Sequence, residues 1–485
     1  MNTKQLLFKF NQGINWNAIL SISHRILSIV VSYSLYCVCT AQDYNLWANT
    51  QSIIFIMVLW IDGGLRKSVP RFAPVFAAHQ VTKVFIKYLT LFQGIALILT
   101  VPFLIKAFAT LSTTLGNPYN LMPQVIILFF LEGIISYIRL IYHSYFWHKS
   151  FNERYLLLLT AETIIACICI LWGVDPLVPI ITSLKIMTGL ILILLTAPKI
   201  PAIINDPAYR NIPVDHTENI KSQFMMHTAA MWGSNTIKSL SERNVTLLVL
   251  TYIFGPGLAN IYKIANDGAV VIYRTLIKTI GTTDTSLLAH SQIIGEGEVG
   301  LQKAFKKVST KVVGLCLPLL GLIGGVYSVA SWYQYDHIVF YIIFIVVIGY
   351  ILEVAFSSYE RVLEVNFRYR YLIYAYVPYI ILLISPFLIP LLLSISLSST
   401  ITRITCIGLP TLLIAIRCVR LVSTLLMVYF ARRLYDLTFP ISLRTCIYRI
   451  LIFYIVGLPI GLVLMPVLRR IPTPGPSLSI RGLSV

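Results

Sequence analysis

The residues of this chain that could do chemistry are charges standing where charges are expensive. Ser222 to Tyr252 reads as helix, yet it carries Lys238, Glu242 and Arg243. From Val245 onward only about ten apolar residues precede Gly255-Pro256-Gly257; at ~1.5 Å per residue that is about half of a ~30 Å hydrocarbon layer. A spanning helix that stops at the Gly-Pro-Gly must therefore begin well before Arg243. That places three charges in the membrane at roughly 2.5–3.5 kcal/mol each. Lys238 and Glu242 are four apart and can pair on one face, whereas Arg243 points about 100° away, as a cation for water or a ligand. The competing reading lays 224–240 on the membrane surface and runs the span through the Gly-Pro-Gly to Ile264, since proline is tolerated in membrane helices.

The same reasoning selects His24 and Arg25, which lie deep in the first apolar run, too far from its start for Arg25 to snorkel out. A cavity role is expected for them ahead of a structural pair. Asp267 and Arg274 share a helix face seven residues apart, as do Glu132 and Arg139; cavity and structural roles stand level for both pairs. Asp62 and Arg66 read as a surface pair at a helix end, and Glu353, Glu360, Arg417 and Arg420 as interhelical pairs or helix-end anchors. No GxxxxGK[ST], no HExxH, no Asp-x-Asp and no clustered metal ligands occur, and no long outer loop could house a transferase or polymerase site. No catalytic residue and no metal site are expected; the chemistry points to transport. The eight cysteines are scattered through apolar segments and read as small core residues.

The elements that must position these charges are helices in lipid. Of 485 residues, 57% are hydrophobic and 12% charged, against about 25% charged in soluble domains. An all-α polytopic membrane protein is expected, and Met1 to Phe10 shows no small-residue cleavage site of a signal peptide ahead of the first apolar run. Apolar runs near 14–40, 46–64, 84–111, 121–147, 153–173 and 176–198 make an N-terminal six-helix lobe (1–198). A proline-punctuated cytoplasmic linker (199–221) follows, then a second six-helix lobe (222–433), an additional membrane segment (434–468) and a disordered tail (469–485). Twelve or thirteen spans result. The last run contains Gly457-Leu-Pro459-Ile-Gly461, which could break it into a hairpin and leaves the side of the C-terminus open.

Lysine and arginine gather on alternate loops. With the N-terminus in the cytoplasm, inner loops hold Arg66, Lys67, Arg71, Lys149, Arg154, Lys199, Lys303, Lys306, Lys307, Arg361, Arg368, Arg432 and Arg433, while the outer turns hold none. The formal net charge of +19 is thus an orientation signal and a contact for anionic membrane lipids, not a nucleic-acid footprint. His24-Arg25 in the first helix and Lys238 with Glu242-Arg243 in the seventh suggest an internal repeat.

Asp43-Tyr44-Asn45-Leu46-Trp47, then Trp60-Ile61-Asp62-Gly63-Gly64-Leu65 and Arg71-Phe72, resembles the early helices of the polysaccharide flippases in the multidrug/oligosaccharidyl-lipid/polysaccharide exporter superfamily. Gly255-Pro256-Gly257 with Tyr262-Lys263-Ile264-Ala265, Ala289-His290-Ser291 and the basic run to Lys311 is similar to the start of their second lobe. Asn45 stands where glycine is usual there. The resemblance implies two six-helix lobes around a central cavity in a bacterial inner membrane. It implies translocation of an undecaprenyl-diphosphate-linked oligosaccharide (an O-antigen, capsule or exopolysaccharide repeat unit) by alternating access. Arg25 and Arg243 would then face the cavity with His24, Lys238, Glu242, Asp267 and Arg274, the arginines meeting the diphosphate bidentately. No cofactor is implied; coupling to H⁺ or Na⁺, and contact with other polysaccharide-assembly proteins, stay open. The alternatives are a lipid II flippase, a cation-coupled multidrug exporter of the same superfamily, which would want carboxylates in the first lobe, and, less favoured, a membrane glycosyltransferase.

Overall fold

The computed structural model describes residues 3–62, 64–78, 82–115, 119–145, 147–204, 220–240, 243–273, 298–333, 338–366, 368, 370–378, 380–381, 409–438 and 441–468. They are helical nearly throughout, because a backbone in lipid must satisfy its own hydrogen bonds. The helices are α1 (Thr3–Val38), α2 (Ala41–Ile61), α3 (Leu65–Ala78), α4 (Thr82–Leu115), α5 (Met122–Ser144), α6 (His148–Leu171), α7 (Leu177–Thr196), α8 (Ile200–Ile204), α9 (Ile220–Leu240) and α10 (Arg243–Tyr273). Then come α11 (Glu298–Trp332), α12 (Ile338–Ala355), α13 (Ser357–Val365), α14 (Leu409–Tyr435) and α15 (Leu443–Leu468). Residues 200–204 and 220–221 of the expected linker are thus helical.

Eight of these helices are long and apolar enough to cross a membrane; α12 and α13, bent by 47° at their junction, form either a broken span, which would be a ninth, or a re-entrant loop. The expected total of twelve or thirteen includes runs that fall partly outside the described residues, near 258–281 (274–281 not described) and near 371–397 (382–397 not described). It also includes α2, which is too polar to count by composition. Asn45, Asn49, Thr50 and Ser52 are all buried on α2, and α4, α5 and α9 pack around it, so its amides meet protein and not lipid.

The chain divides into two compact units, residues 1–252 and 253–485. In the first unit, α2 is the central rod, its apolar face packed with α4 and α5 through Ile53, Ile54, Met57, Leu104, Phe108, Leu128 and Phe129. Asp62 closes α2 as its C-cap and Gly64 follows with φ 80°. A Cβ at Gly64 would stand 2.6 Å from the Thr228 carbonyl oxygen and the Trp232 nitrogen of α9. The Asp-Gly-Gly-Leu turn therefore serves two ends: a left-handed backbone and a close approach of α9. The Trp232 indole donates to the Trp60 carbonyl at 3.2 Å, and Ser68 bonds His227 at 2.9 Å. Asp62 pairs with Arg66 as expected, but the carboxylate is buried and not on the surface.

The second unit is organised by the packing of α11 on α15. Gly325 of α11 faces Gly457 of α15, where a Cβ at Gly325 would lie 2.8 Å from the Gly457 Cα, while Gly321 lies against the α15 backbone at Ile450 and Tyr454 and Gly461 against Val326 and Val329 of α11. Glycines at four-residue spacing let the two backbones touch. The Gly-Leu-Pro-Ile-Gly stretch thus does not break the last segment: α15 runs unbroken through it. The missing side chains are used for contact, not for a turn. The non-helical backbone falls at Gly255 (φ 77°, ψ 177°), where the Gly-Pro-Gly interrupts α10.

Candidate functional site

Within the first unit, α1, α2, α5, α6 and α7 carry a polar interior. His24 stacks on Tyr155 of α6 with ring centroids 6.0 Å apart and approaches Ser28 at 3.4 Å; Arg25 is half-buried on the same helix. The Tyr155 hydroxyl sits in the joint field of Glu132, Arg139, Glu162 and Arg25. Lys185 on α7 forms an ion pair with Glu132 of α5 at 3.4 Å and donates to Gln51 of α2. Glu162 of α6 accepts from Thr188, one turn along α7 from Lys185, at 2.8 Å. A lysine between two carboxylates in a membrane span is the kind of group that marks a pathway or a relay.

Arg25, Arg66, Arg139 and Lys185 share this interior with Asp62, Glu132 and Glu162.

Beside it, α2 is stitched to the start of α10. Asn49 donates to Asn45 Oδ1 at 2.8 Å and to Thr251 Oγ1 at 2.9 Å; Asn45 donates to Thr251 at 3.3 Å and Ser52 to Asn244 Oδ1 at 3.3 Å. All five residues are buried. Asn45, which departs from the glycine of the resembled pattern, is used here as an interhelical bond.

Within the second unit, three helices contribute a further polar group. Arg417 and Arg420, one turn apart on α14, both donate to Glu353 Oε1 of α12, at 3.1 and 2.8 Å. The Arg417 guanidinium lies over the Tyr350 ring, 4.3 Å from its centroid, and the Tyr350 hydroxyl donates to Asn266 Oδ1 of α10 at 3.4 Å. Asn266 is 1% exposed and its amide nitrogen has no partner among the described residues. Next to it Lys263 pairs with Asp267, one turn away. Two arginines thus converge on one carboxylate oxygen beside a separate Lys–Asp pair. The interhelical reading of Glu353 with Arg417 and Arg420 matches this geometry, whereas Glu360 accepts from Tyr376 at 3.2 Å.

Of the residues expected at a site, His24, Arg25, Glu132 and Arg139 lie in the polar interior of the first unit, and Asp267 in that of the second. Glu132 meets Lys185 in place of Arg139, and Asp267 meets Lys263, while its expected partner Arg274 lies outside the described residues. Glu242 and Arg274 fall outside the described residues, as do the side chains of Lys238 and Arg243; helix α9 ends at Leu240 and α10 begins at Arg243. Sequence reasoning missed Lys185, Glu162, Tyr155 and Lys263. The signal was present for the two charges in α6 and α7, an ionisable residue inside an apolar run. Among the described residues there is no group of three or more metal-ligating side chains.

No protein-family model matches the chain, and no curated protein matches it. A solved structure does: the crystal structure of a mutant of the Vibrio cholerae MATE transporter VcmN, with a TM-score of 0.54 over 90% of this chain and 97% of that one, at 12% identity. The all-helical, multi-pass membrane fold of this chain is a MATE-like fold.

Proposed function

We propose that this protein is a secondary transporter that moves an anionic amphiphile, a polyprenyl-diphosphate-linked oligosaccharide, across a bacterial inner membrane. One observation carries the reading: Arg417 and Arg420 converge on the single carboxylate of Glu353 inside a membrane span. Buried ions are costly, and two guanidiniums that share one carboxylate oxygen suit an anion that visits them. Arginine, not lysine, supplies this pair, and its planar fork matches phosphate oxygens two at a time. The polar interior of the first unit, with Arg25 on α1, supports the same charge preference. On this reading the partners are the lipid-linked glycan and, at the membrane surface, anionic lipids.

A deletion strain tests it. Complete lipid-linked glycan should accumulate on the cytoplasmic side, and surface polysaccharide should be lost; accumulation of truncated glycan would point to a transferase instead. In complemented strains Arg25→Ala and Arg417→Gln should each lower surface glycan at least about tenfold at unchanged membrane level, since a charge-assisted hydrogen bond contributes ~1.5–3 kcal/mol.

A second reading, a cation-coupled multidrug exporter, draws on Glu132 and Glu162, first-lobe carboxylates that helix one lacks, with Lys185 paired to the first of them. It predicts drug hypersensitivity of the deletion strain with surface glycan intact. In the flippase reading the same carboxylates couple transport to H⁺ or Na⁺, and Glu162→Gln slows glycan export without altering drug resistance.

A further inference from the structure

Away from the polar interiors, a cleft of about 710 Å³ opens where the start of α6 meets α1 and the end of α7. Its walls are Lys149, Glu153, Arg154 and Trp147 at one end and Leu157 and Leu195 at the other. Leu157 is 69% exposed and Leu195 46%, so the apolar end faces the surroundings of the bundle, which for these spans is lipid. The polar end lies at the mouth of a span, the depth at which a headgroup sits.

Three features of the polar end point to a phosphate. Lys149 and Arg154 have no carboxylate within ion-pair distance among the described residues: the ammonium lies 6.0 Å from the Trp16 ring centroid and Arg154 donates to the Leu195 carbonyl at 3.3 Å. Helix α6 starts at Trp147 without a side-chain cap and without an acid in its first turn, so the amides of Lys149 and Ser150 have no intrahelical acceptor and lie at the positive end of the dipole. The Trp147 indole nitrogen, beside the cleft, is buried and has no hydrogen-bond partner among the described residues, and a buried donor left unmade is costly.

We propose that this cleft holds one anionic glycerophospholipid, its phosphodiester between Lys149, Arg154 and the start of α6 and its acyl chains along Leu157 and Leu195. The charge selects the occupant. Two cations against Glu153 leave one net positive charge, which suits a phosphodiester monoanion better than a diphosphate or a zwitterion. Glu153 is placed to accept from the hydroxyls of a glycerol headgroup. The site stands whether or not the transported cargo is a lipid-linked glycan.

Native mass spectrometry of the purified full-length chain, titrated with phosphatidylglycerol, phosphatidylethanolamine or phosphatidylcholine, tests it. One phosphatidylglycerol should be retained more tightly than either zwitterionic lipid. Lys149→Gln and Arg154→Gln should each weaken it about fivefold, the value of one cation near a headgroup. Glu153→Gln should strengthen it, a sign that a merely structural role would not produce, and Trp147→Phe should weaken it while keeping the ring. Equal retention of all three lipids, no change in the variants, or displacement by inorganic phosphate alone would each overturn the proposal. Melting temperature and elution volume of every variant separate a lost ligand from a lost fold.

Discussion

Single side chains in this protein act mostly by bridging helices, and their consequences can be stated one at a time. Thr251 accepts from both Asn45 and Asn49, so Thr251→Val leaves two buried amide donors short of an acceptor. In membrane proteins such contacts contribute about 0.6 kcal/mol on average and up to about 1.7. Thr251→Val should lower the melting temperature in detergent by an amount in that range, and Thr251→Ser should restore it. No change with valine would mean that the amides find other acceptors. At Glu353 the sign is set by charge: Glu353→Gln leaves two guanidiniums beside a neutral amide, and breaking a buried pair costs roughly 3–5 kcal/mol. The double variant Glu353→Gln, Arg417→Gln removes one of the two guanidiniums and should recover much of the loss. The sequence marked Arg417, Arg420 and Glu353 as interhelical pairs or helix-end anchors, but it could not say that two arginines share one oxygen of Glu353. Nor could it exchange Arg139 for Lys185 as the ion-pair partner of Glu132. Spacing along one helix is visible in a sequence; the neighbour brought in by another helix is not.

At the scale of elements, the α11–α15 seam makes the sharpest prediction. Gly325 and Gly457 sit where the backbones touch, whereas a Cβ at Gly324 would find an ordinary 3.5 Å contact with Tyr454. Gly325→Leu or Gly457→Leu should therefore detach α15, at a cost of 1–3 kcal/mol or more by overpacking, read as a fall in melting temperature and as protease cleavage before Leu443. Gly324→Ala should be tolerated. A leucine at Gly457 without effect would contradict the close packing. The glycines of α15 were legible as special, yet their meaning was inverted, because a glycine that opens a turn and one that admits a neighbouring backbone look alike until the neighbour is known. The Asp-Gly-Gly-Leu turn read more truly, since its helix end shows locally in the sequence and Gly64 has the positive φ that such a turn asks for.

For the whole molecule, orientation is the testable property. Asn120 and Asp175 lie at the α4–α5 and α6–α7 connections, and Lys149 at the α5–α6 connection between them, so the first two share one face of the membrane and Lys149 takes the other. On the orientation expected from the lysine and arginine distribution, Lys149 is cytoplasmic. Single cysteines replacing Asn120 and Asp175 in a cysteine-free background should react with an impermeant maleimide in intact cells, and one replacing Lys149 only after lysis. Labelling of position 149 in intact cells would reverse the assigned orientation.

Composition and charge alone determined that this is a helical, multi-pass membrane protein, because the cost of an unsatisfied backbone or a bare charge in hydrocarbon admits few alternatives. They also determined that its interior charges are the residues to watch. Tertiary structure alone decided which charges meet. It set Lys185 against Glu132, Lys263 against Asp267, and two arginines on Glu353, and it left Trp147 and Lys149 at the rim of a cleft. Those partnerships join helices far apart in the chain, so no periodicity within a single segment records them.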